Sequence, residues 1–192
     1  MKSLDYKKNV LELLSRTDNI KGNIIEVGIY SGDTTLIIAE YLYKNNISKH
    51  FIGLDTFKGY KVEDMEGANR ASKSNFDTGR WNIGYDSVLE RLKEYKDIIS
   101  LHEGDCKVTI PDLIKNKTIT ELSFIYIDCN LYQPSLKSIQ DLWPYLSKGG
   151  IVSIDEHLTG GETRAIKEFA NTNNLELKYY SDKPGPSYYI VK

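Results

Sequence analysis

The sequence predicts an α/β protein built on a doubly wound, Rossmann-like and mostly parallel sheet, with an antiparallel hairpin at its carboxyl end. Three observations predict this fold class. Short apolar strands alternate with helical segments, several predicted strands end at an acidic residue, and the first strand runs into a turn that contains two glycines. Such alternation favours parallel strands that are connected by helical crossovers.

The first predicted helix and strand lead into this turn. Leu4 to Ser15 shows the apolar spacing of an amphipathic helix, for which a packing role is favoured over a lid. Residues 23–27 follow as a nearly continuous β-branched strand, as expected of a strand that is covered on both faces. The strand runs into the spacing Glu26-x-Gly28-x-x-x-Gly32, whose glycines allow a flat ligand to lie against the main chain. A helix is predicted directly after the turn.

The second predicted strand, residues 51–55, ends at Asp55. This aspartate follows the glycine turn at close to the roughly 20-residue interval at which nucleotide-binding βαβ units place an acid on a ribose diol. An ionised carboxylate can accept both ribose hydroxyl hydrogens. Residues 56–82 then lack a clear periodicity, and a loop of this length is more often a functional lid than filler. Phe57 and Trp81 at its margins could cover an adenine or a substrate, or belong to the core.

The remaining parallel strands are predicted from short apolar runs that stop at acidic residues. The third, fourth and fifth strands span residues 98–102, 122–127 and 151–154. The acids in or after the predicted strands are Glu26, Asp55, Asp105, Asp128, Asp155 and Glu156. Because ligands of open parallel sheets bind beyond the carboxyl ends of the strands, these acids predict a binding site at that edge.

Helices connect these strands, and a hairpin closes the chain. One helix contains Val88, and a second, with Leu136 on its apolar side, is predicted to end at residues 148–150. Residues 162–173 are typical of a further helix. Two closing strands are predicted over residues 175–180 and 187–191, joined by a turn at residues 183–186.

Length and composition bound the class of protein. With 192 residues and no internal repeat, the sequence predicts a single domain over residues 1–192, including an N-terminal helical segment over residues 1–20. The formal net charge of −2 gives no general attraction to nucleic acid. The apolar runs are shorter than the roughly 18 residues of a membrane span, and residues 1–16 lack the apolar core of a signal peptide. We therefore expect a cytoplasmic protein that binds neither nucleic acid nor membranes. The formation of a homo-oligomer is compatible with the sequence.

The glycine turn resembles motif I of class I methyltransferases, in which the turn holds the amino-acid end of S-adenosylmethionine (SAM). The order of the later motifs agrees, since Gly104-Asp105 follows the third strand and resembles the pair that meets the adenine. The resemblance implies the class I methyltransferase fold and SAM as cofactor. The predicted cofactor-binding residues are Glu26, Gly28, Tyr30, Ser31, Gly32, Thr34, Asp55, Thr56, Phe57, Gly104, Asp105, Cys106 and Asp128.

Further segments resemble the TylF/MycF-type sugar O-methyltransferases, the macrocin family. The most specific are Asp128-Cys129-Asn130-Leu131-Tyr132 and the run from Gly149-Gly150 to Asp155-Glu156. This resemblance implies transfer of a methyl group from SAM to a hydroxyl, usually of a sugar on a natural product, with Mg²⁺ as a further cofactor. Asp128, Asp155 and Glu156 fall on the family's metal positions, and Mg²⁺ prefers such oxygen ligands. Asn130 and Tyr132 are the predicted contacts of a small-molecule acceptor, a sugar or glycoside.

One departure from the family pattern concerns Asn130, since the family commonly has an aspartate there as a candidate general base. An amide cannot take a proton at neutral pH, so that role would pass to metal activation alone, to Asp128 or to His157. Our hypothesis is metal activation assisted by His157. Alternatives stay open: a catechol-type O-methyltransferase, a non-catalytic SAM-binding protein and, less favoured, a nucleic-acid methyltransferase or an NAD-dependent dehydrogenase.

Overall fold

A single mixed β-sheet with helices on both faces organises the molecule. The computed structural model describes residues 3–65, 81–155, 160–181 and 185–192. The strands are β1 (Asn23–Val27), β2 (Phe51–Asp55), β3 (Ile99–Glu103), β4 (Leu122–Ile127), β5 (Leu146–Ile154), β6 (Lys178–Tyr179) and β7 (Tyr188–Val191). The α-helices are α1 (Leu4–Ser15), α2 (Asp33–Lys44), α3 (Tyr85–Arg91), α4 (Cys106–Lys115), α5 (Tyr132–Leu142) and α6 (Gly161–Thr172). Within the described ranges, none of the helices is long and apolar enough to cross a membrane.

The sheet order is β3-β2-β1-β4-β5-β7-β6. Neighbouring strands from β3 to β5 are parallel, and β7 pairs antiparallel with both β5 and β6. The chain thus winds outward from β1 to β3, returns to the centre at β4 and winds outward in the other direction. This topology confirms the predicted doubly wound sheet and its antiparallel carboxyl-terminal pair. It places a crevice between β1 and β4, where ligands of such sheets bind.

The two faces of the central strands fill two separate cores. Every residue of β4 is buried, as its nearly uninterrupted apolar sequence predicts. Ile125 and Ile127 contribute to a core that includes side chains of α4, α5 and α6. Phe124 and Tyr126 contribute to the opposite core, with side chains of α1, α2 and α3. Burial on both faces fixes β4 and β1 in the middle of the sheet, and therefore fixes the crevice at their ends.

Three elements differ from the sequence-based predictions, and one of them is β6, which spans only Lys178–Tyr179 of the predicted residues 175–180. Helix α4 was not predicted, because its ten-residue run is interrupted by Pro111, which removes one donor from the helix. Residues 148–150 do not end a helix but lie inside β5. They join the sheet because the backbone of Lys192 bonds to them, accepting from Gly149 at 2.7 Å and donating to Gly150 at 3.0 Å. The predicted turn at residues 183–186 lies partly outside the described residues.

We predict that Ile125→Ala lowers the free energy of unfolding by about 2 to 5 kcal/mol, because truncation of a fully buried side chain leaves a cavity. Urea unfolding at neutral pH measures this change. The matched control is Val108→Ala on α4, where 60% of the side chain is exposed and the expected change is within about 0.5 kcal/mol. Equal losses in both variants would contradict the assignment of β4 to the core.

Candidate active site

A cavity of about 430 Å³ opens at the carboxyl ends of the parallel strands. This volume lies within the range of small-molecule sites. Its walls come from the turn after β1, the loop after β2, the start of α4 and the segments that follow β4 and β5. The predicted site residues that line it are Gly28, Tyr30, Ser31, Thr34, Asp55, Thr56, Gly104, Asp105, Cys106, Asp128, Asn130 and Asp155. The cavity therefore joins the glycine turn to the strand-end acids.

The turn after β1 approaches the end of β4 so closely that only glycine fits. Gly28 has a φ of 93°, and a Cβ at this position would lie 2.1 Å from the carbonyl oxygen of Asp128. Its backbone N–H donates to Leu54 in β2 at 2.8 Å. Tyr30, two residues later, also has a positive φ, 49°, which a tyrosine rarely adopts. The turn is thus an unusual backbone shape that needs outside support.

Asp55 provides that support. Its Oδ2 accepts the backbone N–H groups of Ile29 at 2.7 Å and Tyr30 at 2.8 Å, and its Oδ1 accepts the N–H of Phe57 at 2.7 Å. A carboxylate oxygen has two lone pairs, so these bonds use both lone pairs of Oδ2 and one of Oδ1. Oδ1 also lies 3.5 Å from the hydroxyl of Thr56, so Asp55 retains capacity for at most one of the two ribose hydroxyl hydrogens that the sequence predicts it to accept. The ribose contact itself stays a prediction.

Three predicted cofactor-binding residues lie outside the lining of the cavity. The carboxylate of Glu26 is buried and accepts the hydroxyl of Thr35 in α2 at 2.6 Å. Gly32 is the residue that caps the amino end of α2. Phe57 is buried in the core and its ring packs against Tyr85, with 5.2 Å between ring centroids. These residues lie in or around the turn and do not line the cavity.

Tyr132, a predicted acceptor contact, also lies outside the cavity lining. Its hydroxyl donates to Glu168 at 2.6 Å, and the guanidinium of Arg164 lies 3.9 Å from the centre of its ring. Both partners are on α6, so Tyr132 connects the start of α5 to α6. The side chain of Tyr132 is thus directed towards α6, and its predicted contact with an acceptor stays a prediction.

The end of the cavity near β3 carries a paired acid. The carboxylate of Asp105 accepts the backbone N–H of Lys107 at 3.0 Å and thereby caps α4, and Lys61 donates to it at 2.7 Å. Burial alone would raise the pKa of Asp105, but these two lysines outweigh it and hold the pKa below its usual value. Lys61 was not predicted as a site residue. The Gly104–Cys106 segment still faces the cavity, where the sequence places the adenine.

An acidic cluster that includes Asp105 consists of other residues than the predicted metal site. Among the described residues, Glu63, Asp64 and Asp105 bring carboxylate oxygens within 4.8 Å of one another. However, Lys61 pairs with Asp105, and Lys107 pairs with Asp64. These two lysines offset two of the three negative charges of the cluster.

The predicted metal ligands Asp128 and Asp155 lie on neighbouring strand ends. The backbone N–H of Asp128 continues the β1–β4 ladder to Val27, and that of Asp155 continues the β4–β5 ladder to Ile127. Both residues line the cavity. Carboxylates at one edge supply the oxygen ligands that Mg²⁺ prefers, so the residues present fit such an ion. Glu156 and His157, the other predicted members, lie outside the described residues.

A buried chain of hydroxyl groups connects this acidic edge to the glycine turn. The hydroxyl of Tyr126 donates to Oδ1 of Asp155 at 2.6 Å and lies 3.0 Å from the hydroxyl of Tyr6. The Tyr6 hydroxyl in turn lies 2.9 Å from Oγ1 of Thr34. Burial raises the pKa of both phenols far above the usual value, and the charges of Asp128 and Asp155 raise it further. Both phenols therefore stay protonated.

An aromatic wall forms another part of the cavity lining. It consists of Tyr30, Tyr60 and Trp81, whose ring centroids lie 4.8 Å (Tyr30 to Trp81) and 6.4 Å (Tyr60 to Trp81) apart. The phenol of Tyr60 hydrogen-bonds to the side chain of Asn130, and burial raises the pKa of that phenol. The aromatic wall therefore contacts the loop after β4 through Tyr60. Of the two aromatic residues flagged in the sequence, Trp81 lines the cavity and Phe57 belongs to the core.

The loop after β4 is held in a strained shape by α6. Asn130 has a φ of 60°, and its backbone N–H donates to the carboxylate of Glu162, which is fully buried in the first turn of α6. Gly161 permits this contact, since a Cβ there would lie 2.5 Å from the backbone nitrogen of Tyr132. Strained backbone of this kind concentrates at functional sites. Glu162 was not predicted, because its role depends on a contact distant in sequence.

The fold is that of the class I methyltransferases. The sequence model of the macrocin-O-methyltransferase (TylF) family matches residues 2–180, and the chain belongs to this family. This confirms the resemblance found in the sequence.

Individual relatives agree with this assignment. The 8-demethyl-8-(2,3-dimethoxy-alpha-L-rhamnosyl)-tetracenomycin-C 4'-O-methyltransferase of Streptomyces olivaceus is 22% identical over 175 residues, which cover 88% of this chain and 65% of that protein. The chain thus spans just under two thirds of the length of this relative.

Solved structures show the same fold. The crystal structure of CalS11, calicheamicin methyltransferase, superposes with a TM-score of 0.79 at 23% identity, covering 96% of this chain and 77% of that one. An O-methyltransferase from Bacillus cereus, solved in complex with S-adenosylhomocysteine (SAH), gives a TM-score of 0.64 at 12% identity, with coverage of 100% and 82%. At these identities the likeness establishes the fold alone.

We predict that Asp55→Asn destabilises the protein by about 1.5 to 3 kcal/mol, because the new amide group must face one of the N–H donors that the carboxylate now accepts. Urea unfolding measures the loss. Asp112→Asn, an exposed change on α4, serves as the control and should leave stability within about 0.5 kcal/mol of the wild type. If Asp55→Asn behaves like this control, Asp55 does not support the turn.

Proposed function

We propose that the protein is a SAM-dependent O-methyltransferase, assisted by Mg²⁺, that methylates a hydroxyl of a sugar or glycosylated small molecule. The observation that carries the proposal is the single cavity in which the glycine turn faces Asp128 and Asp155. Membership of the macrocin-O-methyltransferase family and the relative that is described as acting on a rhamnosyl-bearing tetracenomycin support it.

We assign each part of the cofactor to one part of the cavity. The turn between Gly28 and Thr34 would take the amino-acid end, because its backbone groups line the cavity beside the amino end of α2. Oδ1 of Asp55, which accepts the backbone N–H of Phe57 and lies 3.5 Å from the hydroxyl of Thr56, would accept one ribose hydroxyl. Gly104, Asp105 and Cys106 would border the adenine. SAH bound to the Bacillus cereus neighbour supports a SAM-type cofactor, which supplies the methyl group.

Asp128 and Asp155, with Glu156, would hold Mg²⁺ at the adjacent edge. When bound, the ion supplies a Lewis acid that lowers the pKa of a coordinated acceptor hydroxyl. The carboxylates would fix the ion beside the cofactor turn, so that the acceptor oxygen is aimed at the methyl group. His157 is the proposed base that removes the hydroxyl proton, since the amide of Asn130 cannot accept one.

The aromatic wall suits a sugar acceptor. A sugar ring presents apolar C–H groups on its faces and hydroxyl groups at its edge, and the cavity lining contains both aromatic rings and polar side chains that would complement them. Trp81 and Tyr60 would contact a face of the ring, and the Asn130 amide, held by Tyr60, would hydrogen-bond to an edge hydroxyl. The acceptor would thus lie between the wall and the Asp128–Asp155 edge.

The proposal predicts methyl transfer from SAM to a panel of rhamnosides, lost on addition of EDTA and restored by Mg²⁺. Asp128→Asn should reduce turnover about 100-fold or more, since metal activation contributes several kcal/mol to the transition state. Asp112→Asn is the charge-matched control and should keep wild-type turnover. Transfer of labelled methyl groups measures both.

Other outcomes separate the alternatives. Transfer to catechol with none to rhamnosides would favour a catechol-type enzyme. SAH binding by calorimetry without transfer to any acceptor would indicate a non-catalytic SAM-binding protein. Full turnover in Asp128→Asn would remove the metal from the proposal.

Trp81→Ala should raise the KM for the rhamnoside about tenfold while the KM for SAM stays within twofold, because the proposal assigns Trp81, a residue of the cavity lining, to the acceptor. Trp81→Phe should recover part of the loss. The control is Trp143→Phe, whose ring packs against Phe169 in the core between α5 and α6. Steady-state kinetics with each substrate varied in turn distinguishes the two sites. An equal rise in both KM values would contradict an acceptor role for the wall.

A further inference from the structure

We propose that Tyr6 and Tyr126 are positioning residues that turn the hydroxyl of Thr34 into a pure hydrogen-bond acceptor for the ammonium group of the cofactor's amino-acid end. The proposal rests on the proposed function and extends it to residues of α1 and β4 that lie outside the cavity lining. It concerns how the cofactor is held, and it applies whether or not a metal ion is bound.

The direction of every bond in the hydroxyl chain follows from its last member. The hydroxyl of Tyr126 donates its single hydrogen to Asp155 at 2.6 Å. In its 3.0 Å contact with Tyr6 it can then only accept, so Tyr6 donates. Tyr6 has thereby used its own hydrogen, and in the 2.9 Å contact between Tyr6 and Thr34 the threonine must donate. One carboxylate thus orients three hydroxyl groups.

This orientation decides what Thr34 can offer to a ligand. Its hydrogen points at Tyr6, away from the cavity, and the remaining lone pair of Oγ1 is an acceptor. Thr34 lines the cavity in the first turn of α2 and is almost fully buried. An ammonium group carries three donors and no acceptor, so it matches this group, whereas a freely rotating hydroxyl could also present a donor.

The buried positions make the orientation permanent. Tyr126 is fully buried and Tyr6 is 3% exposed, so water does not compete for their hydroxyl groups. Tyr6 is on α1, which packs against the sheet through Val10, Leu13 and Leu14. Docking of α1 therefore completes the chain, which gives this helix a role in the site beyond packing.

A purely structural explanation exists, because buried tyrosine hydroxyls require partners wherever they occur. The two explanations predict different cofactor affinities for Tyr126→Phe. The hydroxyl of Tyr126 does not contact Thr34. In Tyr126→Phe, however, the hydrogen of the Tyr6 hydroxyl loses its acceptor and can turn to Thr34. The Thr34 hydrogen is then released towards the cavity. A positioning role predicts weaker cofactor binding in this variant, and a structural role predicts only lower stability.

The test is calorimetric binding of SAH and of 5′-methylthioadenosine, which lacks the amino-acid end. Tyr6→Phe and Tyr126→Phe should each bind SAH about fivefold more weakly, as expected for one misdirected hydrogen bond, and the double variant should be no worse than about fivefold. Both should bind 5′-methylthioadenosine as the wild type does. Tyr41→Phe is the matched control, since Tyr41 also donates to an aspartate, Asp18, at 2.5 Å, away from the cavity. It should leave both affinities unchanged.

Several results would overturn the inference. Wild-type SAH affinity in Tyr6→Phe or Tyr126→Phe would exclude an effect on Thr34, and an equal loss for both ligands would indicate general distortion. If a tyrosine variant fails to fold, Thr34→Val replaces it, and unchanged SAH affinity there would also refute the inference. Failure of the wild type to bind SAH at all would instead refute the proposed function, and the inference with it.

Discussion

The bond between the Asp55 carboxylate and the backbone of the turn after β1 is the contact on which the site depends. Gly28 and Tyr30 place this turn in a backbone shape with positive φ angles, close against the end of β4. Two N–H donors of the turn converge on one carboxylate oxygen. Such charge-assisted bonds are about twice as strong as neutral ones, so they can offset the strain. Without them, the cavity would lose the wall that faces the cofactor.

The same arrangement is repeated in the loop after β4. Asn130 has a positive φ after β4, and the buried carboxylate of Glu162 holds its backbone N–H. The turn after β1 and the loop after β4 are therefore each fixed by an acid from a neighbouring element. The parallel sheet makes this possible, because it brings the ends of successive strands to one edge. Preorganisation of this kind is what a transfer reaction requires, since the reacting atoms must meet in line.

The sequence predicted the parts of the fold and site that depend on local patterns. The continuous apolar run of β4 identified a central strand, and strand ends identified Asp55, Asp128 and Asp155 as neighbours of one cavity. The contacts that determine their use were not predictable, because they join distant segments. Tyr6 and Tyr126 are far apart in sequence, and either would pass for an ordinary core tyrosine in its own helix or strand. The bonds of Asp55 to the turn were not predictable for the same reason, and its ribose contact stays a prediction.

The most direct measurement is a crystal structure of the protein with SAH and Mg²⁺. The account predicts the amino-acid end against the turn from Gly28 to Thr34, with the ammonium group at Oγ1 of Thr34 and the adenine beside Gly104. It also predicts a cation between Asp128 and Asp155, with the aromatic wall across the remaining space. SAH bound away from this cavity, or an adenine ring covering the Asp128–Asp155 edge, would contradict the assignment of the cavity to a methyl donor and its acceptor.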